Sequence, residues 1–422
     1  MNQILFSEYR VLYMLNQGKS WVMRIRVRMR DLVDADVMRN AVDITAKRYP
    51  YFCVELKKNE EYYLEENKRP IVITNNLLGV TLNSEESNYH LISFSYADNW
   101  VVMDIAHAIT DGSGAYAVIR TFLHYYIAEK YGVELKEKGT RLYGDKISVE
   151  EWDDPVSNRE DLPVPVRPNL TKAINARKIA KLDDDHCQTV YSIVIPEQEF
   201  MKFNIENDGS PATMISLFLS RAIHKLFPDH QDAVRVVMTV NERNALKSPL
   251  AHQNLVSVAF LEYKEKMQSW PLSRQSTAYR GMVFVQSRDE NVLAEVASQK
   301  QLNELIRSMA TDEERKAIAD GASKAGDSFV TAAISYVGKA NFAAEEKYIR
   351  DFHLWTNMIG DSILLEISAI SGKFVIDFMQ PFANPLYLNA FLKELDDNNI
   401  VYDLQDVLPL EIPDTKLPWF EN

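Results

Sequence analysis

The sequence predicts a mixed α/β fold in two domains, and three observations carry that expectation. Stretches of period-two alternation and stretches of helical period are interleaved in both halves of the chain, with no internal repeat. At 422 residues the chain is long for one hydrophobic core, and its 46% hydrophobic fraction supplies ample material for a large one. Pro155, Pro163, Pro165 and Pro168 then interrupt a charged run between Asp153 and Asn169 that can hold neither a helix nor a central strand. It reads as the crossover between a first domain, residues 1–160, and a second, residues 170–422.

The elements follow in order. Residues 21–30 alternate, with Met23, Ile25, Val27 and Met29 on one face and Arg24, Arg26, Arg28 and Arg30 on the other, which predicts a strand. Residues 36–47 have helical period, residues 62–64 and 71–74 are short strands, and 90–95 pairs with 101–105 across the turn Ala97-Asp98-Asn99. After the crossover come a strand at 189–195, a helix at 210–226 with a Ser-Pro start, and a strand at 233–240. Residues 293–319 form the longest helical stretch, and a strand at 374–378 precedes a helix at 385–395.

Composition excludes several function classes. The formal net charge is −13 and no Lys/Arg block is long enough to cover a phosphate backbone, so nucleic acid is not an expected partner. No eighteen-residue apolar window occurs, and the opening MNQILFSEYR lacks a charged region followed by an apolar core, so neither a membrane span nor a signal peptide is expected. Cys53 and Cys187 stand far apart, without a C-x-x-C or a nearby histidine cluster, which suits a reducing cytoplasm and no structural zinc. His186 beside Asp183-Asp184-Asp185 offers too few ligands for a metal and reads as a solvated loop.

The chemistry concentrates in residues 101–116, VVMDIAHAITDGSGAY. An apolar strand runs up to His107, a polar turn follows through Asp111-Gly112, and the helical period of Ala115, Val118, Ile119, Phe122 and Leu123 takes over. This H-x-x-x-D-G spacing places an imidazole rigidly where a strand ends and a helix begins. With an ordinary pKa near 6.5, such a ring accepts a proton from a hydroxyl or amine at neutral pH once one tautomer is locked. Asp111, four residues on across a sharp turn, braces the turn, and Gly112 permits backbone that a Cβ would resist and lets a substrate approach. A buried histidine beside an ordinary Asp-Gly turn is the plainer reading of the same residues. G-x-S-x-G, P-loop, G-x-G-x-x-G and H-E-x-x-H patterns are all missing from the sequence.

At these residues the chain resembles the chloramphenicol acetyltransferase-like, coenzyme A-dependent acyltransferase superfamily. That group includes alcohol acetyltransferases, plant BAHD enzymes, polyketide-associated acyltransferases and the condensation domains of nonribosomal peptide synthetases. Its fullest motif is H-H-x-x-x-D-G; Ala106 stands here for the first His, and His107 keeps the catalytic second position. No D-F-G-W-G segment is present, which argues against the BAHD branch. Residues 34–52 resemble the family's first helix with its R-x-P turn, here Arg48-Tyr49-Pro50. Thr239-Val-Asn-Glu-Arg243, Gln253-Asn254-Leu-Val-Ser257 and Ile334-Ser335-Tyr336-Val-Gly338-Lys339 resemble, in family order, the second-half strands that line the substrate tunnel.

The resemblance implies two pseudo-equivalent α/β domains, each a mixed sheet packed by helices, with an active-site tunnel between them. It implies direct acyl transfer from acyl-coenzyme A to a hydroxyl or amine, with His107 as base, Asp111 and Gly112 holding the turn and no permanently bound cofactor or metal. Ser335 is the expected oxyanion donor, with a strand hydroxyl bonded to its own backbone and amides near Gly112 as the alternatives. Asn241, Arg243, Asn254 and Ser257 are the expected substrate-side residues. A separate acyl carrier protein is a second donor the resemblance allows. In the family an arginine bonds the motif aspartate. Either Arg243 or an arginine of the 21–30 face fits that role here; the face also fits attraction of coenzyme A phosphates, or an edge strand charged against aggregation. Ala106 is the one feature that favours a non-catalytic, condensation-like binding or assembly protein.

Overall fold

Two sheets, each covered by helices on one face, organise the chain. The computed structural model describes residues 9–15, 21–135, 139–157, 159–165, 169–339, 342–356 and 360–418. Residues 1–8, which carry most of the expectation about the amino terminus, and residues 158 and 166–168 of the proline-rich run lie outside them. In chain order the strands of the first half are β1 (Val22–Met29), β2 (Val54–Lys58), β3 (Tyr62–Glu66), β4 (Ile73–Thr74), β5 (Ile92–Ala97) and β6 (Trp100–Ala106). Those of the second half are β7 (Thr189–Pro196), β8 (Val234–Asn241), β9 (Val256–Tyr263), β10 (Ala332–Lys339), β11 (Ile349–Thr356), β12 (Ile363–Ile370), β13 (Lys373–Gln380), β14 (Asp403–Leu404) and β15 (Leu408–Pro409).

The first sheet has the order β11-β1-β6-β5-β4. Met23, Ile25, Val27 and Met29 are buried in one core with Met38, Ala41 and Val42 of the helix Ala35–Arg48 and with Ile119 and Phe122 of the helix Gly112–Tyr131. Period-two alternation thus delivers one face of β1 to the core, as read from the sequence. The other face departs from the edge-strand reading, because β1 is paired on both sides, with β6 and with β11. Its arginines sit inside the molecule: Arg24 is 2% exposed and Arg26 8%. Arg24 donates to both carboxylate oxygens of Asp104, at 2.7 and 3.0 Å, and to the carbonyls of Leu77, Leu78 and Glu411. The Arg26 guanidinium lies 4.6 Å from the ring centre of Trp100 and 4.0 Å from that of Trp355. With its charge taken up there and by Asp104, this face leaves Asp111 to another arginine.

The second sheet has the order β14-β7-β13-β12-β10-β8-β9, with β15 also on β7. Ile193, Val236, Ile334, Leu365 and Ile376 point from it into a core shared with Leu217 and Phe218 of the helix Pro211–Leu226 and Phe391 of the helix Leu386–Asp397. The opposite face carries a polar row. Register places Ser192 across from Asp377, Asp377 across from Glu366, and Glu366 across from Ser335, over four adjacent strands.

One strand crosses between the two halves of the chain. β11 follows β10 in sequence yet pairs with β1 along seven registered positions, so the first sheet is completed by a segment from the second half. The stretch 293–319 is also two helices, Asp289–Ser308 and Asp312–Asp327. Thr311 caps the second through the Glu314 amide, and the Glu314 carboxylate accepts from the Thr311 N–H at 3.1 Å. This T-x-x-E box is a start signal, and it stops the preceding helix from running on.

Candidate active site

The motif stands where β6 gives way to the long helix. His107 follows the last residue of β6, its N–H donates to the Trp21 carbonyl at 2.7 Å, and its ring stacks on the Trp21 indole with centroids 5.1 Å apart and planes at 29°. Trp21 thus fixes both backbone and ring of His107, a role its place at the head of an alternating strand did not signal. The side-chain amide of Asn254 lies 3.3 Å from Nδ1. The contact engages Nδ1 and leaves Nε2 as the nitrogen able to meet a substrate. Burial lowers the His107 pKa from its ordinary 6.5, while its own backbone and the Asp111 charge oppose that shift.

Asp111 is the N-cap of the helix Gly112–Tyr131 and is 1% exposed. Its Oδ1 accepts from the Gly114 amide at 3.1 Å and its Oδ2 from the Leu255 amide at 3.0 Å. Arg243 completes the set, donating Nη1 to Oδ2 at 2.7 Å and Nη2 to Oδ1 at 2.9 Å. Four donors converge on two oxygens, so the carboxylate is consumed in holding the turn. Arg243 is in turn held by the carbonyls of Ala251 and Gln253, at 2.7 and 2.9 Å, and Asn241 Oδ1 accepts from its backbone amide at 3.0 Å. Asn241 therefore touches Arg243, one step behind the motif.

Gly112 opens its helix with an ordinary backbone and is not among the residues of positive φ, so conformational freedom does not explain it. The reason is space: a Cβ here would sit 2.9 Å from Val337 Cγ2. Gly114 is tighter still, since a Cβ would collide with Thr110 Oγ1 and stand 3.0 Å from the His252 carbonyl oxygen. The loop bearing His252 thus closes on the motif from behind, with Thr110 Oγ1 donating to that carbonyl at 2.7 Å.

A buried network supports the loop. Arg48, in the R-x-P turn, makes two hydrogen bonds to Glu151, at 2.9 and 3.0 Å, and Tyr51 adds its hydroxyl at 2.8 Å. These partners hold the Glu151 carboxyl down near 2 against the opposing effect of burial. The Glu151 carbonyl accepts the His252 N–H at 3.0 Å, and the Arg141 guanidinium donates to His252 Nε2. Burial, with the Arg141 charge next, pushes the His252 pKa down to about 3, so this ring is neutral.

Ser335 lies on the polar row. Ile334 on its strand enters the second core, while Val337, two positions on from Ser335 and on the same strand face, meets Gly112. Ser335 stands directly across from Glu366 of β12 in the parallel pairing. Ser257 is buried on the β9 face that carries Leu261 and Tyr263 into the helix-covered core. Asn254 and Arg243 are therefore brought to the motif, the strand that carries Ser335 meets it through Val337, and Ser257 points the other way. At the other end of β7, Asp185 accepts from the backbone amides of Ala383 and Asn384, at 2.9 and 3.0 Å, bracing a turn. Among the described residues no group of three His, Cys, Asp or Glu side chains is placed to hold a metal ion, and no helix is long and apolar enough to cross a membrane.

No family model and no curated protein sequence matches the chain. Solved structures do. F. sporotrichioides TRI101, complexed with coenzyme A and T-2, aligns over 96% of this chain and 99% of its own at 9% identity, with a TM-score of 0.63. Polyketide synthase associated protein 5 from Mycobacterium tuberculosis aligns over 94% and 96% at 11% identity, with a TM-score of 0.59. The epimerization domain from the third module of tyrocidine synthetase B aligns over 94% and 95% at 10% identity, with a TM-score of 0.57. The chain therefore has the mixed α/β fold of the chloramphenicol acetyltransferase-like acyltransferases and condensation domains.

Proposed function

We propose that this protein is an acyltransferase that moves an acyl group from acyl-coenzyme A to a hydroxyl or amine acceptor, with His107 as general base. The observation that carries the reading is the ring itself: stacked on Trp21, engaged at Nδ1 by the Asn254 side-chain amide, whose oxygen accepts from Nδ1–H in the base tautomer, and kept neutral by burial. A neutral imidazole with Nε2 open removes a proton from the acceptor as that atom attacks the thioester carbonyl. The carbon–sulfur bond then breaks, and the proton passes from the imidazolium to the departing thiolate. No acyl-enzyme forms, so both substrates meet in one tunnel between the two sheets, in a two-domain chain divided at the proline-rich crossover.

In this reading Asp111 and Arg243 hold the turn, with Gly112 packed against the facing sheet, and Asn241 positions Arg243. Ser335 supplies a hydrogen bond to the oxyanion, a contribution worth roughly 3 to 4 kcal/mol when one donor is removed. Coenzyme A bound to the structural neighbour TRI101 supports acyl-coenzyme A as co-substrate. The free cysteines Cys53 and Cys187 suit a cytoplasmic location.

A second reading draws on Ala106, which stands at the first histidine of the family motif and is 2% exposed at the end of β6: a condensation-like protein that takes its acyl group from a carrier protein, or binds without catalysis. Thiol release from acetyl- and longer acyl-coenzyme A with mixed alcohols and amines separates the two. Release that disappears in His107→Ala supports the first reading; no release with any acyl-coenzyme A overturns it.

A further inference from the structure

The mechanism leaves one buried acid unused. Glu366 is 7% exposed on β12, in the polar row, between Ser335 on β10 and Asp377 on β13. Asp377 has its own partners: the Ser192 hydroxyl at 2.5 Å, His353 Nδ1 at 2.9 Å, and the charge of Arg26. From the motif helix Tyr116 faces the two acids, 5% exposed, its ring edge-on to Phe352 and its hydroxyl buried without a recorded partner. Glu366 thus meets a second carboxylate, a phenol and a serine, and register sets it directly across from Ser335 on the neighbouring strand. Two acids side by side away from water do not both ionise, and the one without cations keeps its proton.

A serine hydroxyl has a single hydrogen. Spent on a Glu366 carboxylate, it has nothing to offer a thioester oxyanion; facing a Glu366 carboxylic acid, the serine oxygen accepts and its hydrogen is released for another acceptor. We infer that Glu366 is the positioning residue for Ser335: it holds a proton, donates it in a hydrogen bond to Ser335 Oγ, and so turns the Ser335 O–H toward the oxyanion. The inference rests on the oxyanion role proposed for Ser335. Burial first, and the neighbouring Asp377 charge as well, push the Glu366 pKa up to about 8, against the opposing effect of Ser335. The donor state is therefore filled below that pH and empties above it. Tyr116, raised well above its ordinary 10, stays neutral throughout.

Two measurements test this. A group titrating near 8 changes its protonated fraction about tenfold between pH 7 and 9, so the wild-type transfer rate should fall by about that factor over the interval. Glu366→Gln, whose amide N–H donates to Ser335 Oγ at every pH, should bring the pH 7 to pH 9 rate ratio close to one. A ratio unchanged in Glu366→Gln overturns the inference. Ser335→Ala should lower the rate on the order of 100-fold and abolish the alkaline fall; a wild-type rate in that variant overturns the oxyanion role and with it the inference. The second measurement is independent of transfer: an infrared pH titration should show a buried carboxylic acid carbonyl band that fades between pH 7 and 9 and is missing in Glu366→Gln. A Glu366 band that has already vanished at pH 6 overturns the inference, whether or not any acyl-coenzyme A turns over.

Discussion

Arg243 grips Asp111 with both terminal nitrogens across 132 residues of sequence, at 2.7 and 2.9 Å, with both side chains buried. The pair ties the short helix Arg243–Leu246 of the second half to the first turn of the motif helix, so the alignment of the halves and the shape of the catalytic turn are one structural variable. A planar fork is needed for this geometry, which a lysine cannot copy. Arg243→Lys and Asp111→Asn should each lower stability, by up to about 3 to 5 kcal/mol for a broken buried pair. Urea unfolding read by fluorescence checks this. Unchanged midpoints with lost activity would assign Asp111 a direct catalytic role.

Removal of the base separates chemistry from architecture. His107→Ala should reduce turnover by on the order of 100- to 10,000-fold while leaving the circular dichroism spectrum and melting temperature near wild type. Comparable turnover in a folded variant would dismiss the base assignment. In the wild type, burial holds the imidazole below its ordinary 6.5, so the base form persists into mild acid and the acid limb of kcat/KM should fall below that value.

Gly112→Ala should slow transfer, because the added methyl meets Val337 Cγ2 at 2.9 Å and shifts the turn. Val337→Ala removes that obstacle. The double variant should recover most of the loss, a coupling that a thermodynamic cycle on turnover measures directly. Gly114→Ala has no such remedy, since backbone of the His252 loop lies in the way; it should destabilise by about 1 to 3 kcal/mol, seen as a lower melting temperature.

Acid should loosen the clamp behind the motif. His252 takes up its proton only near pH 3 in the folded protein, against an ordinary 6.5. Its contribution to stability is therefore full above about 6.5 and is lost as the pH falls toward 3. The Glu151 carboxylate, held near 2 against an ordinary 4.5, adds a loss in the same direction below 4.5. Urea midpoints at pH 7 and pH 4.5 should differ more in the wild type than in His252→Gln. Equal differences would mean that His252 is protonated in the folded state.

What could be read from the sequence was local. The strand–turn–helix around His107 lies within sixteen consecutive residues, and the alternation of Met23, Ile25, Val27 and Met29 decides which face of β1 is buried without reference to anything distant. Arg243 was one of several arginines that suited Asp111; only the folded positions of Arg24, Arg26, Arg28 and Arg30 removed the others. The arginine face misled because charge on one side of a strand looks alike at a solvated edge and between two sheets, where Asp104, Trp100 and Trp355 absorb it. Trp21, Glu366 and His353 owe their places to register between strands far apart in sequence, which no local period encodes. The T-x-x-E box at Thr311, by contrast, was legible and would have divided the long helical stretch.

The strand β11 has a consequence for how the chain is made. Until residues 349–356 have left the ribosome, β1 has β6 on one side and an unpaired edge on the other, bearing Arg26 without Trp355 and Arg24 without its cross-strand neighbour. More than three hundred residues must therefore be synthesised before the first sheet can close, and closure waits on a contact of very high sequence separation. A polypeptide ending at the proline-rich crossover should expose that edge and associate through it, so the native state is reached by the whole chain as one late, cooperative event rather than by the sequential completion of two finished domains.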